Sequence, residues 1–468
     1  MSPSSPFFLS VDCGGTKTAA VICDADGIIV GRGTAGPSNI AYLPVPAFLR
    51  AVTDAVLRAL ADAKHPFGSL PPSSSDEALS PFPNAPFHSA WFGVSGADSP
   101  SAIRAVTPSL AALLHLPLDP ASPTGTSARL AVANDTHLLA APVHDFPADG
   151  PNRVTNVVAV IAGTGSIAVS FARGGAGELT ELARVGGWGW ILGDEGGGYD
   201  VGREALRQIL SASDHAQIIR ANAGLSTSTS VTSTPADSIT TPTLYPTAFT
   251  SSVLARFGVS ASGGALDVFG GVYASDPAPA PPSPVASPSS TSESQKKEGN
   301  AAAPEDDITS YLSMPREKRI SSLPPLVFAA AFPPSGSAKP DPLALNILRT
   351  CASKLGAQAA ALFGLESPTN AHLPFLEDSQ SQDPAPAPTA ILDPTHTLLT
   401  FGGSLVGVPA YRAMIVADLA ARFNSQRSIA SAAADALFPL ERVVFVDDAA
   451  AAGARGLASA WRRENGRV

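Results

Sequence analysis

Residues 7–23 read Phe-Phe-Leu-Ser-Val-Asp-Cys-Gly-Gly-Thr-Lys-Thr-Ala-Ala-Val-Ile-Cys, and this stretch decides the fold. It consists of two apolar runs separated by a polar turn with two glycines. A third apolar run, residues 28–33, follows the turn Asp24-Ala25-Asp26-Gly27. Short β-rich runs separated by turn residues predict a strand, a hairpin and a third strand.

The segments that follow predict one helix, a fourth strand, a second helix and a fifth strand. The order βββαβαβ is typical of a ribonuclease-H-like domain, a mixed sheet with helices on its faces. The pattern of a strand, a glycine turn and another strand occurs a second time from residue 156. We therefore expect an α/β protein of two such domains with a cleft between them. The predicted domains are 1–150 and 151–468, and the segments of the first are a helix at 46–63, a strand at 89–94, a helix at 101–114 and a strand at 128–133.

Residues 275–307 have a different composition. Six prolines lie between Asp276 and Ser290, and a polar stretch of Ser, Thr, Glu, Gln and Lys follows. Such a segment buries too little apolar area to offset the entropy of ordering it. We predict a disordered insertion without chemistry, whose role the sequence leaves open.

Composition excludes several classes of protein. The formal net charge is −10, which disfavours nucleic acid or an anionic membrane as partner. The three cysteines, at 13, 23 and 351, fit neither a disulfide framework nor a zinc site. No apolar run approaches the roughly 20 residues of a membrane span, and the N-terminus lacks the pattern of a signal peptide. We therefore expect a cytoplasmic protein.

Three glycine turns stand at predicted strand ends: the first turn (residues 14–17), the second turn (163–166) and the third turn (402–404). In the first, Gly14 and Gly15 allow backbone amides to approach an anion, and Thr16 adds a hydroxyl. Asp12, at the strand end, is a candidate ligand of magnesium through water. Each turn alone is equally well explained as an ordinary tight turn. A P-loop motif is absent.

The most specific stretch is Gly-Gly-Trp-Gly-Trp-Ile-Leu-Gly-Asp-Glu-Gly-Gly-Gly-Tyr, residues 186–199, called the glycine-rich segment below. Glycine costs chain entropy unless the backbone must bend or approach something closely. The segment resembles the GGWG…GDEGS signature of N-acetylglucosamine kinases in the BadF/BadG/BcrA/BcrD ATPase family, within the actin, sugar kinase and heat-shock ATPase superfamily. Two departures are Trp190, where a histidine is common, and Gly197, which replaces the closing serine. The resemblance covers about residues 7–275 and 320–461.

This resemblance implies transfer of a phosphoryl group from ATP, with Mg²⁺, to the 6-hydroxyl of N-acetyl-D-glucosamine. It implies that Asp135, in the turn Asn134-Asp135-Thr136, is the general base, although an aspartate before a helix is also a common N-cap. The partners implied are a small sugar and ATP. The implied sugar contacts are Asn39, Ser95, Asp135, Gly187, Trp188 and Asp194, and the implied ATP contacts are Gly14, Gly15, Thr16, Thr164, Gly165, Gly403 and Ser404.

Several alternatives remain open at this stage. A kinase for another amino sugar, such as glucosamine, and a non-catalytic amino-sugar sensor share these features. A reductase-activating ATPase is disfavoured because the cysteines have no paired spacing for an iron–sulfur cluster. Ligand contacts by Lys17 and Glu195 are undecided, and so is the oligomeric state, for which a homodimer is one option.

Overall fold

A computed structural model describes most of the chain. The described residues are 6–69, 82–175, 178–227, 247–259, 264–277, 311, 313–336, 338–365, 392–430 and 442–466. Residues 278–307 of the predicted insertion lie outside them. Within this described part, no helix combines the length and the hydrophobicity that crossing a bilayer requires.

Two five-stranded sheets form the framework, and both have the same strand order and directions. The first has the order β3-β2-β1-β4-β5 and the second β10-β9-β6-β7-β8. In each sheet four strands run in the same direction, and one strand, next to the edge strand, runs opposite to them. The strands are β1 Phe8–Cys13, β2 Thr18–Cys23, β3 Ile29–Ala35, β4 Ser89–Val94, β5 Leu130–Ala133, β6 Asn156–Ala162, β7 Ser166–Arg173, β8 Leu179–Gly186, β9 Thr397–Gly402 and β10 Val443–Val446.

Twelve α-helices in the described residues cover and connect the sheets. Several begin where the sequence provides an N-terminal signal. Ser99 caps α2, and Asp341 accepts hydrogen bonds from two amides of α10, each just before a proline. The helices are α1 Val45–Asp62, α2 Pro100–Leu114, α3 Thr136–Ala140, α4 Gly189–Leu192, α5 Gly198–Thr227, α6 Ala248–Arg256, α7 Val268–Val272, α8 Arg316–Ser321, α9 Pro324–Ala331, α10 Pro342–Leu362, α11 Pro409–Ala430 and α12 Ala449–Glu464.

The repeated topology confirms the predicted fold class. Each half has a mixed sheet of order 3-2-1-4-5 whose first two connections are hairpins, which is the ribonuclease-H-like arrangement found in pairs in actin-like ATPases. The largest apolar core lies in the second half, between its sheet and helices α5, α10 and α11, and a separate core lies between the first sheet and helices α1 and α2.

The closing helix α12 packs on the first sheet, although it follows the last strand of the second. Its small side chains Ala450, Ala451 and Ala454 pack with Phe8 and Val21. A Cβ atom on Gly453 would stand 2.3 Å from the hydroxyl of Ser10, so small residues on the helix make this close approach possible. We propose that the boundary at 150/151 separates the two sheets along the chain. We also propose that α12, which packs on the first sheet, belongs to the first domain.

The short helix α3 lies between the two halves. Leu139 and Val143, in and just after α3, share a core with Val157 and Phe171 of the second sheet. The ring of His137 contacts that of Phe171, with centroids 4.7 Å apart. The residue that precedes α3 is thus placed at the junction of the two sheets.

Candidate active site

One cluster of predicted site residues lies at the first sheet, where the parallel strands β1, β4 and β5 end. Asp12 lies near the end of β1, Ser95 follows β4 and Asp135 follows β5. Parallel strands present their carboxyl ends at the same edge of a sheet, which is where ligands bind in open α/β folds. The hydroxyl of Ser95 donates a hydrogen bond to Asp135 Oδ2.

Asp135 occupies the N-cap position of α3 without serving as a cap. It makes no side-chain capping hydrogen bond. The neighbouring Asn134 accepts from the amide of Thr136 at 3.0 Å and donates to Asp98 Oδ1 at 2.9 Å. The helix-cap explanation of this aspartate is therefore disfavoured, and its carboxylate is oriented by Ser95 instead.

The pKa values of both carboxylates at these strand ends are raised. Burial, followed by the charge of Asp135, raises the pKa of Asp12 from 3.8 to about 6, while Lys17 opposes this rise. Burial also raises the pKa of Asp135, and the charge of Asp98 adds to it, against the hydrogen bond from Ser95. A bound cation would favour the charged forms that burial disfavours here.

Asn39 joins this cluster from the loop after β3. The amide of Ile40 donates to the carbonyl of Ser95 at 3.1 Å, which ties the loop to the turn after β4. Asn39 Oδ1 accepts from the amide of Ala41 at 2.8 Å. A Cβ atom on Gly96 would come within 2.7 Å of that oxygen, so glycine is required for this approach. The structure thus brings Asn39, Ser95 and Asp135 together.

A second cluster lies at the carboxyl ends of the second sheet. The second turn is closed by a hydrogen bond of 3.0 Å from the amide of Gly163 to the carbonyl of Gly165. The amide of Gly198, at the start of α5, donates to the carbonyl of Gly163 at 2.8 Å. Gly403 of the third turn has φ +99°, and a Cβ atom there would stand 2.5 Å from the carbonyl oxygen of Ala162. The second and third turns are therefore adjacent.

The glycine-rich segment lies against the second turn. Asp194 Oδ1 accepts from the amide of Ser166 at 3.2 Å, and a Cβ atom on Gly165 would stand 2.7 Å from the same oxygen. Gly187 donates to the carbonyl of Ser166 at 3.0 Å. Burial raises the pKa of Asp194, although the hydrogen bond from Ser166 opposes the rise. Trp188 projects outward with 66% of its surface exposed.

Two glycines of the predicted phosphate turns are not required by the fold. Neither Gly15 nor Gly163 has the left-handed backbone that favours glycine. A Cβ atom on Gly163 would meet nothing within 4 Å, and one on Gly15 would meet only Asn39 Nδ2 at 4.0 Å. Bare backbone facing open space fits a phosphate that approaches the amides. Gly165 and Gly403, by contrast, are already explained by contacts within the protein.

The carboxylates present also fit a magnesium ion held mainly by its nucleotide. In the described part of the chain, no group of three or more His, Cys, Asp or Glu side chains forms a metal cage. Mg²⁺ characteristically keeps several waters and binds one or two carboxylates together with substrate phosphates. Asp12, with Asp135 nearby, offers such an incomplete ligand set.

The structure adds site residues that the sequence analysis missed. Arg184 of β8 is bonded to Glu181 at 2.8 Å and reaches Asp98 of the first half at 3.6 Å, so one ion pair links the two clusters. Asp98 stands three residues after the predicted contact Ser95, but nothing in the sequence marked Arg184. Asp200, at the start of α5, is fully buried beside the glycine-rich segment.

The two residues left undecided are placed differently. Glu195 Oε2 accepts from Gln358 Nε2 of α10 at 3.4 Å, which favours a structural role for its side chain. Lys17 is exposed at the first turn and lowers the pKa of Asp12 by its charge.

Comparisons with known proteins support the family resemblance. The N-acetyl-D-glucosamine kinase of Dictyostelium discoideum is 27% identical over 211 residues, which span 45% of this chain and 56% of that protein. The N-acetylmuramic acid/N-acetylglucosamine kinase of Clostridium acetobutylicum is 46% identical over 57 residues, or 12% of this chain and 17% of that protein. The matched region thus spans about half the length of the first relative and less of the second. No protein-family model matches the chain.

Solved structures resemble the chain more distantly. A Chromobacterium violaceum protein provisionally assigned as an N-acetylglucosamine kinase has 17% identity and a TM-score of 0.46, covering 97% of this chain and all of its own. A glucokinase from Streptomyces griseus, solved with glucose and an ATP analogue, has 13% identity and a TM-score of 0.39, covering 97% of both chains. In sequence the chain is thus similar to N-acetylglucosamine kinases over less than half of its length, and its own two sheets have the topology of the actin-like ATPase fold.

Proposed function

We propose that this chain is an ATP-dependent kinase that phosphorylates the 6-hydroxyl of N-acetyl-D-glucosamine. The observation that carries the proposal is the state of Asp135. This partly buried aspartate lies at the junction of the sheets, does not cap its helix and is oriented by Ser95 beside Asn39. The names of the two sequence relatives direct the choice of substrate to an N-acetylated amino sugar.

In the proposed reaction, Asp135 accepts the proton of the sugar hydroxyl as the oxygen attacks the terminal phosphorus of ATP. The new O–P bond forms on the sugar, the bond from phosphorus to the bridging oxygen breaks, and ADP leaves. Asp12 would hold a magnesium ion, which would neutralise phosphate charge when bound. In phosphoryl transfer the protein mainly positions the two substrates and stabilises the charge on the transferred group, and it provides a base near the attacking hydroxyl.

The remaining predicted residues position the substrates. Asn39 and Ser95 hold the sugar from the first sheet, and Asp194 holds its hydroxyls from the second. Gly187 and Trp188 border the acetamido group, for which an exposed aromatic ring offers an apolar surface. On the nucleotide side, Gly14, Gly15 and Thr16 contact phosphates from the first turn and Thr164 and Gly165 from the second, while Gly403 and Ser404 receive the adenosine.

The proposal is tested by ADP release with Mg²⁺ and ATP in the presence of N-acetylglucosamine, glucosamine, N-acetylmannosamine or glucose. The product is assigned by ³¹P–¹H correlation, which identifies the phosphorylated oxygen. We expect turnover with N-acetylglucosamine that Asp135→Asn reduces by at least 10³-fold, on the order of the loss of a general base together with its charge. Asp54→Asn, on the covering helix α1, is the matched control and retains activity.

Other outcomes would point elsewhere. Preference for glucosamine, or a product phosphorylated at another oxygen, would correct the substrate or the acceptor. Sugar binding by calorimetry without any ADP release would overturn the kinase and favour the sensor. Equal turnover by Asp135→Asn and wild type would refute the assignment of the base.

A further inference from the structure

Helix α10 presents two polar side chains beneath the glycine-rich segment. Lys354 Nζ donates to both carboxylate oxygens of Asp200, at 2.9 and 3.1 Å. Gln358, four residues later and so on the same face of the helix, donates to Glu195 at 3.4 Å. One helix face thus contacts Glu195 within the glycine-rich segment and Asp200, the residue that directly follows the segment.

Asp200 is the centre of this arrangement. It is fully buried, and its carboxylate accepts hydrogen bonds from the amide of Gly196 at 2.8 Å and from Arg203 at 2.6 Å, besides those from Lys354. Burial alone would raise the pKa of Asp200, but the bonds from Gly196 and Lys354 outweigh it and hold the pKa below its usual value. The carboxylate is therefore charged and needs its cationic partners.

The backbone of the segment is fixed at Gly196 from several sides. Its amide donates to Asp200, and its carbonyl accepts from the hydroxyl of Tyr411 at 3.0 Å. Gly196 has φ +80°, and a Cβ atom there would stand 2.7 Å from the carbonyl oxygen of Cys351 in α10. The segment therefore rests directly on the backbone of α10 at this point.

Asp194 lies two residues before this fixed point and depends on it. Its φ of +60° is a conformation that residues other than glycine seldom adopt, and such a conformation persists only where the surroundings hold it. The amide of Gly197 donates to the carbonyl of Asp194 at 2.9 Å, which closes a short turn from Asp194 to Gly197 with Gly196 inside it. A change at Gly196 is thus transmitted to the Asp194 carboxylate.

We propose that Lys354 is a positioning residue of the sugar site. It holds Asp200, Asp200 holds the Gly196 amide, and the resulting turn aims the Asp194 carboxylate. The role rests on the proposed function, because Asp194 is a sugar ligand only there. Lys354 itself touches neither substrate, and the nucleotide turns are held by other contacts. Its loss therefore affects the sugar far more than ATP.

The test compares Lys354→Met with Arg422→Met, a matched control. Arg422 of α11 also bonds α10, at the carbonyl of Ser353, and pairs with Asp418 at 2.6 Å, with an exposure close to that of Lys354. Lys354→Arg is the conservative variant. The readouts are sugar affinity by tryptophan fluorescence and calorimetry, ATP affinity, hydrogen exchange of amides 194–198, and thermal unfolding.

We expect Lys354→Met to weaken sugar binding at least tenfold and ATP binding less than twofold, with faster exchange at amides 194–198. Lys354→Arg restores most of the sugar affinity, and Arg422→Met leaves both affinities unchanged. Wild-type sugar affinity and wild-type exchange in Lys354→Met would overturn this inference alone. Equal losses for sugar and ATP would also overturn it, as a general structural defect. Absence of sugar binding in the wild type would overturn the proposed function, and this inference with it.

Discussion

Replacing Asp12 by asparagine is expected to stabilise the metal-free protein while it removes the activity. The pKa of Asp12 is raised from 3.8 to about 6, chiefly by burial and then by Asp135. The folded protein thus binds this proton more tightly than the unfolded chain does. Well below pH 3.8 the carboxyl is protonated in both states and contributes nothing to the difference. As the pH rises to about 6 and beyond, ionisation is disfavoured only in the fold, and stability is lost.

The size of the effect follows from the same values. A pKa raised from 3.8 to about 6 corresponds to roughly 3 kcal/mol above pH 6, an upper limit because asparagine does not reproduce every contact of the carboxyl. For a domain of about 150 residues, each kcal/mol raises the melting temperature by about 2–4 °C. We therefore expect Asp12→Asn to unfold several degrees higher than the wild type at pH 8, and at nearly the same temperature at pH 4.

Differential scanning fluorimetry from pH 4 to pH 8 in EDTA measures this difference, and urea unfolding converts it into free energy. Asp54→Asn on α1 controls for the loss of an acidic group in general. Added Mg²⁺ and ATP are expected to raise the melting temperature of the wild type more than that of Asp12→Asn. If Asp12→Asn gains nothing at pH 8, or gains as much at pH 4 as at pH 8, the carboxylate is not under the electrostatic strain described here.

Three further predictions concern other parts of the site and the fold. Gly163→Ala, whose Cβ meets open space, is expected to raise the KM for ATP at least tenfold without lowering the melting temperature. Gly165→Ala, whose Cβ stands 2.7 Å from Asp194, is expected to weaken sugar binding instead. Equal effects of the two variants on both ligands would contradict the proposal that Gly163 lies at the phosphates and Asp194 at the sugar. Asp98→Asn removes a charge that raises the pKa of Asp135, so the acidic limb of the kcat/KM profile shifts to lower pH; an unshifted limb would show that Asp135 does not govern it. Arg319→Met removes the buried guanidinium that donates to the carbonyls of Gly271 and Met314, and it is expected to lower the free energy of unfolding by roughly 3 kcal/mol or more, measured by urea titration. Arg316→Met, on the same helix but half-exposed, is expected to change that free energy by less than about 1 kcal/mol.

Local sequence signals predicted the framework well. The apolar runs around residues 7–23 became β1 and β2, and the repeat near residue 156 became β6 and β7. These signals are reliable because hairpin turns and strand periodicity act over a few residues. The packing of α12 on the first sheet could not be predicted from such local signals. Its alanines fit any closely packed surface, and only the assembled fold shows that they meet Phe8 and Val21.

The sequence predicted the site residues that lie at strand ends. It did not predict the residues that hold other site residues in place through long-range ion pairs. Asp12 lies near the end of a recognisable strand, and Ser95 and Asp135 each follow one, so their convergence could be expected. Arg184 and Lys354 lie in a strand and a helix that show no motif, and their partners are 86 and 154 residues away in the chain. Long-range ion pairs of this kind leave no pattern in a single sequence.

The duplicated topology also explains why one aspartate and not its counterpart is assigned to catalysis. Asp135 is the second residue after β5, and Asp448 is the second residue after β10, the equivalent strand of the other sheet. Asp448 caps its helix, accepting from the amide of Ala451 at 2.8 Å, and it also pairs with Arg32. Asp135 does neither, because Asn134 bonds the first amide of the helix and Ser95 takes the carboxylate. The same position thus carries a structural aspartate in one half and an unneutralised one in the other. An aspartate without a capping role, in the half that also holds Asp12, supports the proposal that Asp135 is the base of the reaction at that edge.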